Sequence, residues 1–232
     1  MGTESSAPRR HPEQGGYARG EETRSRIIAA AIRAFGEEGY DQASTRKIAA
    51  RAGVNPPALQ YYFDSKEGLH RACAEHISDR VLAILSPALE RAAQASRARD
   101  RRQALEALCG LLDALVDGLV AAGSESWSRF IARGKADGAG PAMSLIRERI
   151  GVPLIDAAAR LIGIATRSPA GNELTRLRAC AVIGQVSSLY NSRENTLAVM
   201  GWSQFAPRGL DLIKSVVRAH TRAALAGVAR NR

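Results

Sequence analysis

From about residue 22 onward, apolar side chains in this chain recur with the 3.6-residue period of an α-helix. No segment shows the alternating Val/Ile/Thr pattern or the Asn-Gly turn of a β-hairpin. The spacing therefore predicts an all-α protein. Breakers fall at Gly39, Gly53, Pro87, Gly123, Gly134, the Gly138 to Pro141 cluster, Gly151 with Pro153, residues 168–171 and Pro207. They allow roughly nine or ten helices. A chain of 232 residues, 45% of them hydrophobic, can bury one substantial core or two small ones. Residues 1–21 have no apolar run, so they form no secretory signal and are expected to be a disordered lead. Residues 22–69 then make a first helical unit and residues 70–232 a second.

The formal net charge is +10, and of the 33 basic residues only Lys47, Lys66, Lys135 and Lys214 are lysine. An arginine-rich, basic surface favours acidic partners, nucleic acid ahead of anionic membrane. Every apolar run is interrupted before about 18 residues, so no membrane span is expected. The protein is expected to be cytoplasmic, without a membrane partner. Cys73, Cys109 and Cys180 lie far apart, and His11, His70, His76 and His220 are scattered, so neither a metal site nor a redox motif is expected. No cofactor is implied. Neither a GxSxG elbow, an HExxH pair, a phosphate-binding loop nor a dinucleotide fingerprint occurs, and Glu125, Arg129 and Arg133 have ordinary helical ion-pair spacing. An enzyme is therefore not expected.

The first unit carries the most specific pattern. Ile27, Ile28, Ala31 and Phe35 form one face of a helix that ends at Gly39, with Tyr40 closing the contact behind it. Ser44 or Thr45 caps a second helix that buries Ile48, Ala49 and Ala52 and stops at Gly53. Asn55 is a suitable cap for a third, with Pro56 at the first helical position, where a missing N–H costs nothing. Two short helices joined by a tight glycine turn make a helix-turn-helix. Its outward face would hold Asn55, Pro57, Ala58, Gln60 and Tyr61. No acid occurs between Gln42 and Phe63, whereas Arg46, Lys47 and Arg51 do, giving a local charge of +3 suited to a phosphate backbone. Lys66 stands where the next helix starts, at the positive end of a dipole that prefers anions. Either it holds a DNA phosphate together with the free N–H groups there, or it is a solvated lysine.

Residues Thr23 to Leu69, TRSRIIAAAIRAFGEEGYDQASTRKIAARAGVNPPALQYYFDSKEGL, resemble the DNA-binding domain of TetR-family transcriptional regulators. The helix-one pattern, the glycine-aromatic turn, the run through Ile48-Ala49 to Ala52-Gly53-Val54, the Tyr62-Phe63 ending and the Ser65-Lys66-Glu67 start carry the resemblance. Trp127 with Arg129, Phe130, Ile131 and Arg133, then Gly184-Gln185, then Gly201-Trp202, resemble the C-terminal domain of the CecR-type subgroup. The resemblance implies that Thr45 and Lys66 meet phosphates and that Arg46 reaches a base edge, with Ser44 and Lys47 also in the DNA-binding set. Pro56, Pro57, Ala58 and Tyr61 would face the major groove of a double-stranded operator, Gln60 could pair with adenine or contact the backbone, and Asn55 and Tyr62 complete the DNA-binding set.

The second unit has two expected tasks. Ala181, Gly184 and Ser188 on one helix and Leu212, Val216 and Val217 on the last would pack against a second copy, since a helix-turn-helix monomer reads only a half-site. Alternatively, both helices pack internally. Trp127, Phe130, Arg133 and Trp202 either line a pocket for an unidentified small-molecule effector or are core and solvated groups. The whole points to a ligand-responsive, homodimeric repressor released from a palindromic operator by a small apolar molecule. A nonspecific architectural DNA-binding protein is the alternative.

Overall fold

The computed structural model describes residues 13–121, 123–138 and 140–230. Among these residues every regular element is helical: α1 (Glu13–Gln42), α2 (Thr45–Arg51), α3 (Pro56–Phe63), α4 (Lys66–Ala98), α5 (Arg101–Gly118), α6 (Ser124–Ala136), α7 (Pro141–Ile146), α8 (Val152–Thr166), α9 (Glu173–Asn191), α10 (Arg193–Met200) and α11 (Pro207–Arg230). A π-helical turn over Arg147–Gly151 fuses α7 and α8 into one rod. The expected all-α class stands.

Two apolar cores share one long helix. The first joins Ile27, Ile28 and Phe35 of α1 to Ile48 of α2, Leu59 and Phe63 of α3, and Leu69, Cys73 and Ile77 of α4. It also takes in Phe130 of α6 and Met143 of α7, so two helices of the second unit pack on the first. The second core begins at Leu85 further along α4 and gathers Leu108, Leu111 and Leu112 of α5, Leu161 and Ile162 of α8, Val182 and Val186 of α9, and Leu210 of α11. At 33 residues α4 is about 50 Å long, enough to cross both cores.

Several expected breaks are absent, each for a local reason. Pro87 lies inside α4, and both Pro87 and Ala83, whose carbonyl it deprives of a donor, lie on the exposed side of the helix, where the lost bond costs less than in a core. Gly134 stays within α6 because a Cβ there would lie 2.8 Å from the Met143 sulfur; the glycine permits α7 to approach. Gly151 and Pro153 are carried through the π-helical turn. Conversely, a break that no glycine or proline marks separates α9 from α10 at Ser192 (φ −117°, ψ 34°), where Asn191 and Ser192 are poor helix formers. The lead is shorter than expected, since residues 13–21 are helical. Of these, Ala18, Arg19 and Glu21 are exposed; residues 1–12 lie outside the described ones.

The junction between the units is built around the end of α1. A Cβ at Gly36 would sit 3.1 Å from the Phe130 backbone nitrogen, and Gly39 turns the chain at φ +82° with Arg133 of α6 and Asp137, which follows that helix, within 3 Å of where its Cβ would be. The Tyr40 N–H donates to Asp137 Oδ2 at 3.1 Å. His70 packs between Phe35, Tyr40 and Phe130, with ring centroids 4.7 to 4.9 Å away. Burial pushes its pKa down to about 4, Lys66 adds to the shift, and Asp137 opposes it. The unfolded chain therefore binds more protons than the native state below about pH 6.5. Stability falls as pH drops from 6.5 towards 4 and is fully present above 6.5. The midpoint of thermal unfolding in His70→Gln is expected to fall less steeply over that range. Part of the slope should remain, because His76 is shifted in the same direction by burial and by Arg80. An unchanged slope in His70→Gln would contradict this packing.

Candidate nucleic-acid interface

The α2–α3 unit folds from its caps outward. Ser44 precedes α2, and its Oγ accepts from the Lys47 N–H at 3.5 Å. The turn closes through Gly53 at φ +66°, with the Gly53 and Val54 N–H groups donating to Ala50 and Ala49 carbonyls. Asn55 Oδ1 accepts from the Ala58 N–H at 2.9 Å, which fixes the start of α3. Pro56 and Pro57 occupy the first two positions, where neither deprives the helix of a bond. Leu59 and Phe63 anchor the inner face.

After α3, Asp64 adopts φ +58° and the Ser65 hydroxyl accepts from the Gly68 N–H at 2.9 Å. A Cβ on Gly68 would lie 2.2 Å from the Phe63 carbonyl oxygen, so any other residue displaces backbone. That glycine fixes how closely α4 follows α3. A glycine on the third residue of a helix, where propensity disfavours it, was the available sequence signal.

The outer surface keeps most of the expected residues together. Arg46, Lys47, Asn55, Pro56, Pro57, Gln60 and Tyr61 are exposed, Tyr61 to 83%, while Ser44, Thr45, Ala58 and Tyr62 are half-buried. Tyr61 meets Tyr62 edge to face at 5.4 Å. Arg46 and Lys47 have no ion-pair partner among the described residues. Arg51 departs from expectation: it pairs with Glu37 at 3.1 Å and Glu38 at 3.7 Å and ties α2 to α1, so its charge is largely neutralised. The Gln60 amide donates to the Asp64 carbonyl and so caps its own helix.

Lys66 is neither simply solvated nor free. Its ammonium donates to the Asp41 carbonyl at 3.0 Å, at the end of α1, and sits 4.9 Å above the Tyr40 ring. The negative end of one helix thus compensates for a cation at the positive end of another. Residues missed from the sequence lie on the early turns of α1. That helix passes α3 with Tyr62 Oη 3.7 Å from where a Gly20 Cβ would be, Arg24 lies 5.5 Å from the centre of the Phe63 ring, and Arg19 is exposed.

The four expected effector residues do not converge. Phe130 is only 1% exposed, in the core shared by α1, α4 and α6. Arg133 is committed to Asp137 at 3.4 Å. Trp202 packs against Phe205 in the other core and borders an open cavity beside α9 and α11, whereas Trp127 borders a separate one beside α1 and α4. Of the expected interface residues, Ala181, Gly184, Ser188, Leu212 and Val216 are exposed on α9 and α11. Val217 is turned into its own core, one helical position away from the outer stripe. Leu174 and Leu177, 52% and 66% exposed, extend the α9 stripe at alternating three- and four-residue steps.

Among the described residues no helix is long and apolar enough to cross a membrane. The family model described as bacterial regulatory proteins of the tetR family matches residues 27–73, and that of the C-terminal domain of the HTH-type transcriptional dual regulator CecR matches residues 101–228. The chain is 32% identical over 212 residues to the HTH-type transcriptional dual regulator CecR of Shigella flexneri, covering 90% of this chain and 94% of that one. A TetR-like transcriptional regulator from Rhodococcus sp. RHA1 has the same fold with a TM-score of 0.61 at 21% identity, covering 88% of this chain and 96% of its own. AibR, solved in complex with isovaleryl coenzyme A and operator DNA, superposes with a TM-score of 0.60 at 18% identity over 85% of this chain and 97% of its own. A helix-turn-helix of this geometry, continuous with a C-terminal domain of this kind, places the chain in the TetR family of DNA-binding transcriptional regulators, with a CecR-type C-terminal domain.

Proposed function

We propose that the protein is a homodimeric repressor that holds a palindromic operator and is released from it by a small apolar molecule. The observation that carries this reading is the pairing of an exposed helix-turn-helix face with a second exposed surface, the apolar α9–α11 stripe. A twofold pair formed through that stripe would present two α3 helices to successive major grooves. AibR, bound to a coenzyme A thioester and operator DNA together, supports a small-molecule response on this fold. In this reading Arg46 reaches a base edge, Thr45 and Lys66 meet phosphates, and Tyr61, Pro56 and Pro57 pack in the groove.

The reading separates two side chains by experiment. Arg46→Ala is expected to weaken the best operator by about tenfold to a hundredfold and to relax preference at one base pair. Lys66→Ala is expected to weaken all sequences about equally and to lower the salt slope by about one. It also gives up the Asp41 carbonyl contact, so unfolding of the variant is measured alongside. Equal loss on every sequence for both variants would remove the base-reading role of Arg46. The sign of regulation is tested by placing a selected operator over a promoter. Lower output when the protein is supplied is expected of a repressor, and higher output would make it an activator.

A further inference from the structure

A cavity of about 510 Å³ lies between α1, α4 and the start of α6. Its apolar walls are Ile32 of α1, Ile84 of α4 and the Trp127 ring of α6, and its polar side chains are Arg33, His76, Arg80 and Ser126. None of the lining residues is acidic. Arg33 and Arg80 are exposed and have no ion-pair partner among the described residues, while Asp79, next to Arg80 in sequence, is engaged by Arg149 at 2.7 Å. Burial, reinforced by Arg80, lowers the His76 pKa, so its imidazole is neutral at pH 7 and offers a hydrogen bond rather than a third charge.

The aromatic wall is fixed in place. Gly123 has φ +87°, and a Cβ there would lie 2.9 Å from the Trp127 ring, so only glycine lets the ring seat against the turn. Gly123 also precedes α6 with no side-chain cap, which leaves the positive end of that helix at the cavity rim. Glu125 stands in the first turn of that helix but does not line the cavity, and an apolar slot lined by two arginines and no carboxylate suits an amphipathic anion better than a neutral compound.

We propose that this cavity is the effector site and that it takes an organic anion: a flat apolar body against Trp127, Ile32 and Ile84, with a carboxylate or sulfonate paired to Arg33 and Arg80. The proposal rests on the ligand-responsive reading, gives it a place, and replaces its wholly apolar effector with an apolar body that carries an anionic head. Because α1 belongs to the DNA-binding unit and α6 to the other, an occupant touching both biases the angle between them.

The probes are 8-anilinonaphthalene-1-sulfonate and its uncharged counterpart N-phenyl-1-naphthylamine. In Trp202→Phe the chain keeps Trp127 as its one tryptophan, so quenching reports from the proposed site. Saturable quenching by the sulfonate is expected. Adding Arg33→Gln and Arg80→Gln should weaken the sulfonate by at least about tenfold and the neutral probe by less than about twofold. Both arginines are exposed, and helix content measured in parallel confirms the fold. Unchanged sulfonate affinity in the arginine variant, or equal losses for the two probes, overturns the proposal. The binding measurement needs no DNA, so it stands apart from the regulatory reading. Saturating sulfonate is then expected to lower operator affinity in the parent and not in the arginine variant. Arginine-dependent binding with constant operator affinity would uphold the site and contradict ligand release.

Discussion

Phe130→Ala is expected to destabilise the protein by about 3–5 kcal/mol, the range for truncating a fully buried aromatic. Phe130 is 1% exposed and lies edge-on to Phe35 at 6.3 Å and against His70 at 4.9 Å, so its ring fills the space where α6, α1 and α4 meet. The tight contact of Gly36 on the Phe130 backbone means that α6 cannot shift inward to close the void without moving α1. Much of the cavity term should therefore survive relaxation. Denaturant unfolding measures the loss. A cost below about 1 kcal/mol, accompanied by a changed response to an effector, would instead assign Phe130 to a ligand pocket.

The second large effect concerns association. Leu212→Arg combined with Val216→Arg is expected to give a monomer by sedimentation and to reduce operator affinity by about a thousandfold, because each copy is left with a single half-site. Both positions are exposed in the protomer, at 50% and 44%, so the substitutions put no charge into its core. Val217→Arg, one residue on, should instead unfold the protomer, since that side chain is 6% exposed. A dimer that persists with both outer positions charged would move the interface away from α11.

The helix-turn-helix was legible because its signals are local: a cap at Asn55, a positive-φ glycine at 53, proline where no donor is lost. Helix breaks were less so. Pro87, Gly134 and Gly151 sit inside helical rods because exposure, a close-packed Met143 and a π-helical turn relieve them, and those are tertiary facts. The same limit explains Arg51 and Lys66, whose partners Glu37, Glu38 and Asp41 lie on α1. Helical spacing places Trp127 and Phe130 on one side of α6, but it does not tell which is packed under α1 and which faces open space.

The most direct test of the central claim is selection of bound sequences from random duplex DNA by the purified protein at about 150 mM salt. Enrichment of a palindrome with half-sites spaced for two α3 helices is expected, and its loss in the Leu212→Arg/Val216→Arg protein. Binding without sequence enrichment, disappearing as salt is raised, would contradict operator recognition and leave a nonspecific binder of the phosphate backbone.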